Sequence, residues 1–217
     1  MNTELARFNM IEQQIRPWDA LDQGVLSLLA VVKREDFVPG AYRALAFVDT
    51  EVPLPGGQSM LAPKVEARLL QELNVHKHER VLEIGTGSGY MAALLAHKAQ
   101  QVITMETDAG LVDYAKAALQ RDGAMNVSVR HADGARGLPQ EGPFDVILLS
   151  GSVADVPPHL LAQLKVGGRL AAVVGQLPIM RATLFTRSSG HDFASVEVFD
   201  TVAPRLTGFE EPTRFKF

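Results

Sequence analysis

From residue 80 onward the chain alternates short apolar runs with helical stretches, and this alternation limits the fold more than any other feature. "RVLEIG" reads as a buried strand and "SGYMAALLAHKA" as a helix. "QVITME" reads as a second strand, with the helix "AGLVDYAKAALQRDG" behind it. "VSVRHAD", "FDVILLSG" and "RLAAVVG" supply three more strands, and "PPHLLAQLKVGG" is expected as a helix ending in glycines before the last of them. Strand and helix in turn build βαβ units and a parallel sheet. The tail breaks the pattern: "RATLFTRSS" and "FASVEVFDTV", joined by the turn "SSGHD", are expected to close the sheet as an antiparallel pair. The expected class is α/β, doubly wound and mostly parallel.

Ahead of this body, residues 3–34 read as two helices. Leu5, Phe8, Ile11 and Ile15 recur at helical spacing, Pro17 interrupts, and Asp19 or Asp22 is the candidate cap of the second helix. "REDFVPGAYRALAFVDTEVPLPGG" carries prolines and aromatics, as an ordered connection does; Phe37, Tyr42 and Phe47 suit packing between lobe and sheet. Trp18, beside Pro17, suits packing between helices. A further helix is expected from Pro63, a residue that fits a first helical position because its missing N–H would have had no helical partner. The chain is read as one domain, with residues 1–62 a helical lobe and loop, and residues 63–217 the α/β core and closing strands.

Composition narrows the partners. Twenty-five acids against 21 bases give a net charge of −4, with no long run of either sign, which argues against nucleic acid as the main partner. With no cysteine, disulfides, thiolate zinc sites and cysteine nucleophiles are excluded. The six histidines are scattered or, as His76 and His78, sit in a polar turn without acids nearby, so no metal site is expected. No apolar run reaches the ~20 residues of a membrane span, and the expected location is the cytoplasm.

The stretch "VLEIGTGSGYMAALLA" carries the chemistry. A strand ends at Ile84, glycines alternate at Gly85, Gly87 and Gly89 with Thr86 and Ser88 between them, and a helix begins at once. The spacing is G-x-G-x-G, with Tyr90 where a dinucleotide fingerprint would place its third glycine. Glu83 lies just before the loop, where a pyrophosphate would be poorly served by added negative charge. A carboxylate there suits a ligand with a cationic amino group, as S-adenosylmethionine has. Glu106 ends the next strand, where an acid can accept from both ribose hydroxyls, and Asp133 with Gly134 ends the third, facing an adenine amino group. Three acids at successive strand ends around one glycine loop point to an S-adenosylmethionine site, with S-adenosylhomocysteine as product.

"VLEIGTGSGY", together with "MIEQQI", "VKREDFVPGAYRALAFVD", "GGQSMLAP", "NVSVRHADGARGLPQEGPFDVILL" and "LLAQLKVGGRLAAVVG" in the same order, resembles the protein-L-isoaspartate O-methyltransferase family. The resemblance spans about Phe8 to Gly208. It implies a seven-stranded Rossmann-like sheet and methylation of the abnormal carboxylate of isoaspartyl residues in damaged proteins or peptides. It also implies that Glu83, Gly85, Thr86, Gly87, Ser88 and Gly89 surround the methionine part of the cofactor. Glu106 would hold the ribose, and Asp133 with Gly134 would face the adenine.

The family typically reads Gly-Gln-Thr-Ile-Ser, one further residue, then Pro; the matching run here is Gly57, Gln58, Ser59, Met60, Leu61, Ala62 and Pro63. Leu61 therefore stands at the family's active-site serine position, in a substrate-side loop of Gly57, Gln58, Ser59, Leu61 and Lys64. A carboxylate acceptor is already ionised at neutral pH and needs no general base, so a serine there would be a positioning contact worth roughly 1.5–3 kcal/mol. Ser59, two residues upstream, is the candidate catalytic hydroxyl in its place, and the uncapped N–H groups of the helix from Pro63 are the alternative. Equally, Ser59 fits a local bond to backbone, and Lys64 a solvated first-turn side chain. Leu61 leaves two other functions open: methylation of a different acceptor, or cofactor binding without catalysis.

Overall fold

The computed structural model describes residues 2–211. Met1 and residues 212–217, which the domain division includes, lie outside the described residues. The elements run α1 (Thr3–Met10), α2 (Gln23–Val31), β1 (Val52–Pro53), β2 (Ser59–Met60), α3 (Pro63–Leu73), β3 (Arg80–Ile84), α4 (Tyr90–Lys98), β4 (Gln101–Glu106), α5 (Ala109–Asp122) and β5 (Val127–His131). They continue as β6 (Phe144–Val153), α6 (Pro158–Leu161), β7 (Leu164–Gln176), β8 (Ile179–Arg187) and β9 (Phe193–Asp200).

β3 to β9 form one seven-stranded sheet in the order β5-β4-β3-β6-β7-β8-β9. β5, β4, β3, β6 and β7 are parallel, and β8 and β9 add the antiparallel pair. The central strands are apolar throughout because both faces are covered. Leu82, Ile84, Ile103, Met105, Ile147 and Leu149 pack on one face, and Val81, Val102, Val146 and Leu148 on the face shared with α3, α4 and the lobe. Period-two alternation then puts Glu83, Thr104, Glu106 and Ser150 on that second face, at the carboxyl ends of their strands. Strand order reverses between β3 and β6, so Glu83 and Ser150 flank the switch point where open α/β sheets bind ligands.

Several expectations change. The first helix does not run through Ile15 as an α-helix: Ile11–Ile15 forms a wider π turn, followed by a 3-10 turn at Arg16–Trp18. The wider turn shifts the buried face, so Arg7, Met10, Ile11 and Ile15 are buried while Leu5 and Phe8 are 55% and 59% exposed. Trp18 is 44% exposed and covered by the Lys64 ammonium, 3.8 Å from its ring centroid, not packed between helices. Asp22, not Asp19, caps α2, accepting from the Val25 N–H at 2.8 Å.

The helix expected over 157–168 keeps only Pro158–Leu161, and β7 starts five residues earlier than its apolar run suggests. Leu164 already pairs with Phe144. Gly168 then lets the bulged strand close on its neighbours, because a Cβ there would lie 2.9–3.1 Å from three backbone carbonyl oxygens. The pairing of β1 with β2, which sets Val52 against Met60, was not anticipated; two residues are too short to show periodicity.

Candidate active site

The β1–β2 pairing folds the loop of Gly57, Gln58 and Ser59 back over the carboxyl end of the sheet. Ser59, Met60 and Leu61 thereby line one pocket with Glu66, Glu83, Gly85, Thr86, Gly87, Ser88, Met91 and Ser150. Ser59 and Leu61 of the substrate-side loop thus share it with Gly85, Thr86, Gly87 and Ser88 of the glycine loop, 20-odd residues further on. Lys64 does not line it. Its ammonium pairs with Asp49 at 2.7 Å and faces a second, larger groove of about 790 Å³ along Trp18, Ile179 and Asp200. Volume favours that groove, but the buried polar groups converge in the smaller pocket.

Glu83 is fully buried and accepts from Ser150 Oγ and from Thr104 Oγ1, both at 2.7 Å. Thr86 Oγ1 lies 2.6 Å from Thr104 Oγ1 and extends the chain of hydroxyls. No cation pairs with Glu83 among the described residues. Burial, offset by those two hydrogen bonds, pushes its pKa up to about 7. Such a carboxylate, held in place and lacking a counter-charge, fits an ammonium group.

The glycine loop runs where side chains would not fit. Gly85 has φ +94°, and a Cβ on it would lie 2.7 Å from Leu206 Cδ2. Glu106 accepts from Gly87 N–H at 2.9 Å through Oε2, and from Thr107 and Asp108 N–H through Oε1. It therefore shapes the loop as well as being the acid expected at the ribose. Glu106, Gln58, Gly134 and Leu206 line a narrow continuation of the pocket. Asp133 is exposed and accepts from Ala135 N–H at 2.9 Å, while Gly134 packs on Ile84, where a Cβ would come within 2.4 Å of Cγ2. Ser88 accepts from Tyr90 N–H at 3.3 Å, and Gly89 begins α4 in the left-handed region.

The helix α3 offers less at its amino end than its sequence implies. Ala62 makes no side-chain cap, but Pro63 has no N–H, and the Val65 and Glu66 amides both donate to Ala62 O. Leu61 is buried, and its carbonyl accepts from Arg34 Nη2 at 2.8 Å. Arg34 also donates to Glu66 through Nη1, and its guanidinium lies over the Tyr90 ring at 5.2 Å.

Sequence reading missed Thr104, Ser150, Leu206, Arg34 and Glu66. Glu66 left a signal, an acid on the apolar face of α3 between Val65 and Leu69. Leu206 left none, because only tertiary folding brings it over Gly85. Among the described residues no group of three or more His, Asp or Glu side chains is placed to hold a metal ion. No helix among them is long and apolar enough to cross a membrane.

Residues 7–201 match the model of the family described as protein-L-isoaspartate(D-aspartate) O-methyltransferase. The chain belongs to that family. Among its curated members, the protein-L-isoaspartate O-methyltransferase of Koribacter versatilis is 39% identical over 186 residues, 86% of this chain and 84% of that one. Protein-L-isoaspartate O-methyltransferase 1 of Rhodopseudomonas palustris is 39% identical over 205 residues, 94% of this chain and 84% of its own. A Plasmodium falciparum structure described as a β-aspartate methyltransferase of this type, in complex with S-adenosyl-L-homocysteine, superposes with a TM-score of 0.81. It covers 93% of this chain and 98% of that one, and at 21% identity it bears on the fold alone. The isoaspartyl methyltransferase family thus accounts for the sheet and the helical lobe.

Proposed function

We propose that this protein is an S-adenosylmethionine-dependent O-methyltransferase acting on the carboxylate of L-isoaspartyl residues in proteins or peptides. The observation that carries the reading is the family match across residues 7–201, joined to a pocket at the switch point that holds a buried carboxylate without a counter-ion. The bound cofactor supplies a methyl group made electrophilic by its sulfonium. Glu83 would take the cofactor's ammonium, and the turn from Gly85 to Gly89 would lie along its methionine part. Glu106 would take the ribose hydroxyls, and Asp133 with Gly134 would stand at the adenine. S-adenosylhomocysteine leaves as product.

The chain's own work is placement. An isoaspartyl carboxylate, with an ordinary pKa near ~4, needs no base. The wall of Ser59, Met60 and Leu61 holds it in line with the methyl group and strips water from the attacking oxygen. Ser59, half-buried in that wall, is the hydroxyl we assign to the acceptor side. S-adenosylmethionine is a cytoplasmic metabolite, which supports a cytoplasmic site of action.

The deciding assay incubates the protein with methyl-labelled S-adenosylmethionine and either an isoaspartyl peptide or its aspartyl counterpart. Base-labile methyl ester on the isoaspartyl peptide alone is the expected result. Label on neither peptide would overturn the reading.

A further inference from the structure

The acceptor wall contains a carboxyl group that the cofactor does not use. Glu66 sits in the first turn of α3, on a face otherwise apolar, and is 3% exposed. Its Oε2 accepts from Arg34 Nη1, while nothing among the described residues bonds its Oε1. The side chain lines the same pocket as Ser59, Leu61 and Glu83. We propose that Glu66, in its protonated form, donates a hydrogen bond to the acceptor carboxylate, with Arg34 behind it as the balancing charge. This rests on the isoaspartyl carboxylate being the acceptor.

The polar inventory of the wall leads there. Leu61 offers no polar side-chain atom. Ser150 and Thr104 donate to Glu83, Thr86 meets Thr104, and Ser88 accepts from Tyr90 N–H with its own O–H uncommitted among the described residues. Ser59, Ser88 and Glu66 are the side chains left with a proton to offer an incoming anion, and of these Glu66 alone has a guanidinium bonded behind it. The charge count points the same way. With Glu83 paired to a cofactor ammonium and an ionised Glu66 paired to Arg34, a third carboxylate would enter close to two like charges, and with S-adenosylhomocysteine, which lacks the sulfonium, it would meet no cation in the pocket lining. A proton on Glu66 removes that conflict, because Arg34 then balances the acceptor instead.

The surroundings of Glu66 keep the proton available. Arg34 faces it from the 3-10 turn Arg34–Asp36, Glu83 from β3 and Tyr90 from α4, with the Arg7–Glu35 pair behind. Burial outweighs the lowering effect of Arg34 and pushes Glu66 up to about 7. Burial holds the Tyr90 phenol far above its ordinary value, so it stays neutral and does not compete. Arg34 is fixed by the Leu61 carbonyl, so guanidinium, carboxyl and wall form one unit.

Two measurements test the proposal. Calorimetric titration of an isoaspartyl peptide into the wild-type protein, saturated with S-adenosylhomocysteine, in two buffers of different ionisation enthalpy reads proton uptake without any variant. Above about pH 7 the expected uptake approaches one proton. The second is kcat/KM against pH. In wild type it should fall about tenfold per unit on the alkaline side. In Glu66→Gln, whose amide donates at every pH, it should be lowered severalfold and lose that alkaline limb, with S-adenosylhomocysteine binding as tight as before at about pH 8.5, where Glu83 is ionised in both proteins. No proton uptake, or the same alkaline limb in Glu66→Gln, overturns the proposal while the isoaspartyl reading stands. A wild-type protein that methylates no isoaspartyl peptide overturns both.

Discussion

At the scale of single residues the proposed chemistry gives the pocket two buried carboxyls with opposite requirements. Glu83 must be ionised to hold an ammonium, so cofactor affinity should rise with pH through about 7, where burial has placed its titration. Glu83→Gln removes the charge and keeps the shape. It should weaken S-adenosylhomocysteine binding by about 10- to 100-fold near pH 8, and affinity should become flat between about pH 6 and 8.5. Calorimetry across that range reads both effects. An unchanged affinity would mean that the ammonium is held elsewhere. Glu66 needs its proton where Glu83 must lose one, and because the two sense each other their titrations belong to the pair. A bound ammonium separates them by holding Glu83 ionised.

At the scale of elements, the sequence was most legible where a period and a punctuating residue coincide. Asp22 before a helical run, Pro63 at a first turn, and Glu83 ahead of three alternating glycines each carried local chemistry that the fold kept. Asp22→Ala removes the Val25 N–H acceptor and should cost about 1 kcal/mol, roughly 3 °C in thermal unfolding, with cofactor binding untouched. Where two local signals conflicted, the sequence misled. Leu5 and Phe8 fit an α-helical stripe that the π turn at Ile11–Ile15 breaks. The glycines at 167 and 168 resembled a helix stop but lie within a bulged strand. Spacing picked out Glu83, Glu106 and the glycine loop, which line the pocket and its continuation, while Asp133 lines a separate groove with Arg136, His159 and Gly208. Arg34 and Ser150 could not be read from spacing, because their roles depend on partners 27 and 67 residues away.

At the scale of the whole molecule, burying two carboxyls without full compensation makes stability depend on pH. Glu66 and Glu83 both titrate near 7 when folded, above their ordinary value near 4.5. The folded state therefore binds their protons more tightly than the unfolded chain. The stability this confers is complete below about pH 4.5 and lost as pH rises through about 7. Glu79 and Asp145 are lowered by their hydrogen-bond partners and act in the opposite sense, losing their contribution only on acidification below their ordinary range. The ligand-free protein should unfold at a temperature lower by about 5 °C or more at pH 8 than at pH 6. Glu66→Gln combined with Glu83→Gln should remove most of that difference, as followed by circular dichroism.

The segment from Ala203 to Gly208 lays Leu206 and Thr207 over the narrow continuation of the pocket. It is tied to β6 by Ser152, whose N–H donates to Pro204 O and whose carbonyl accepts from Leu206 N–H. Thr207 meets Thr107 across 100 residues of chain, and Leu206 lies against Gly85. During synthesis the glycine loop and all five parallel strands leave the ribosome before this segment does. The parallel part of the sheet can therefore be made before Leu206 is translated, and the continuation beside Gly85 and Glu106 gains that wall last.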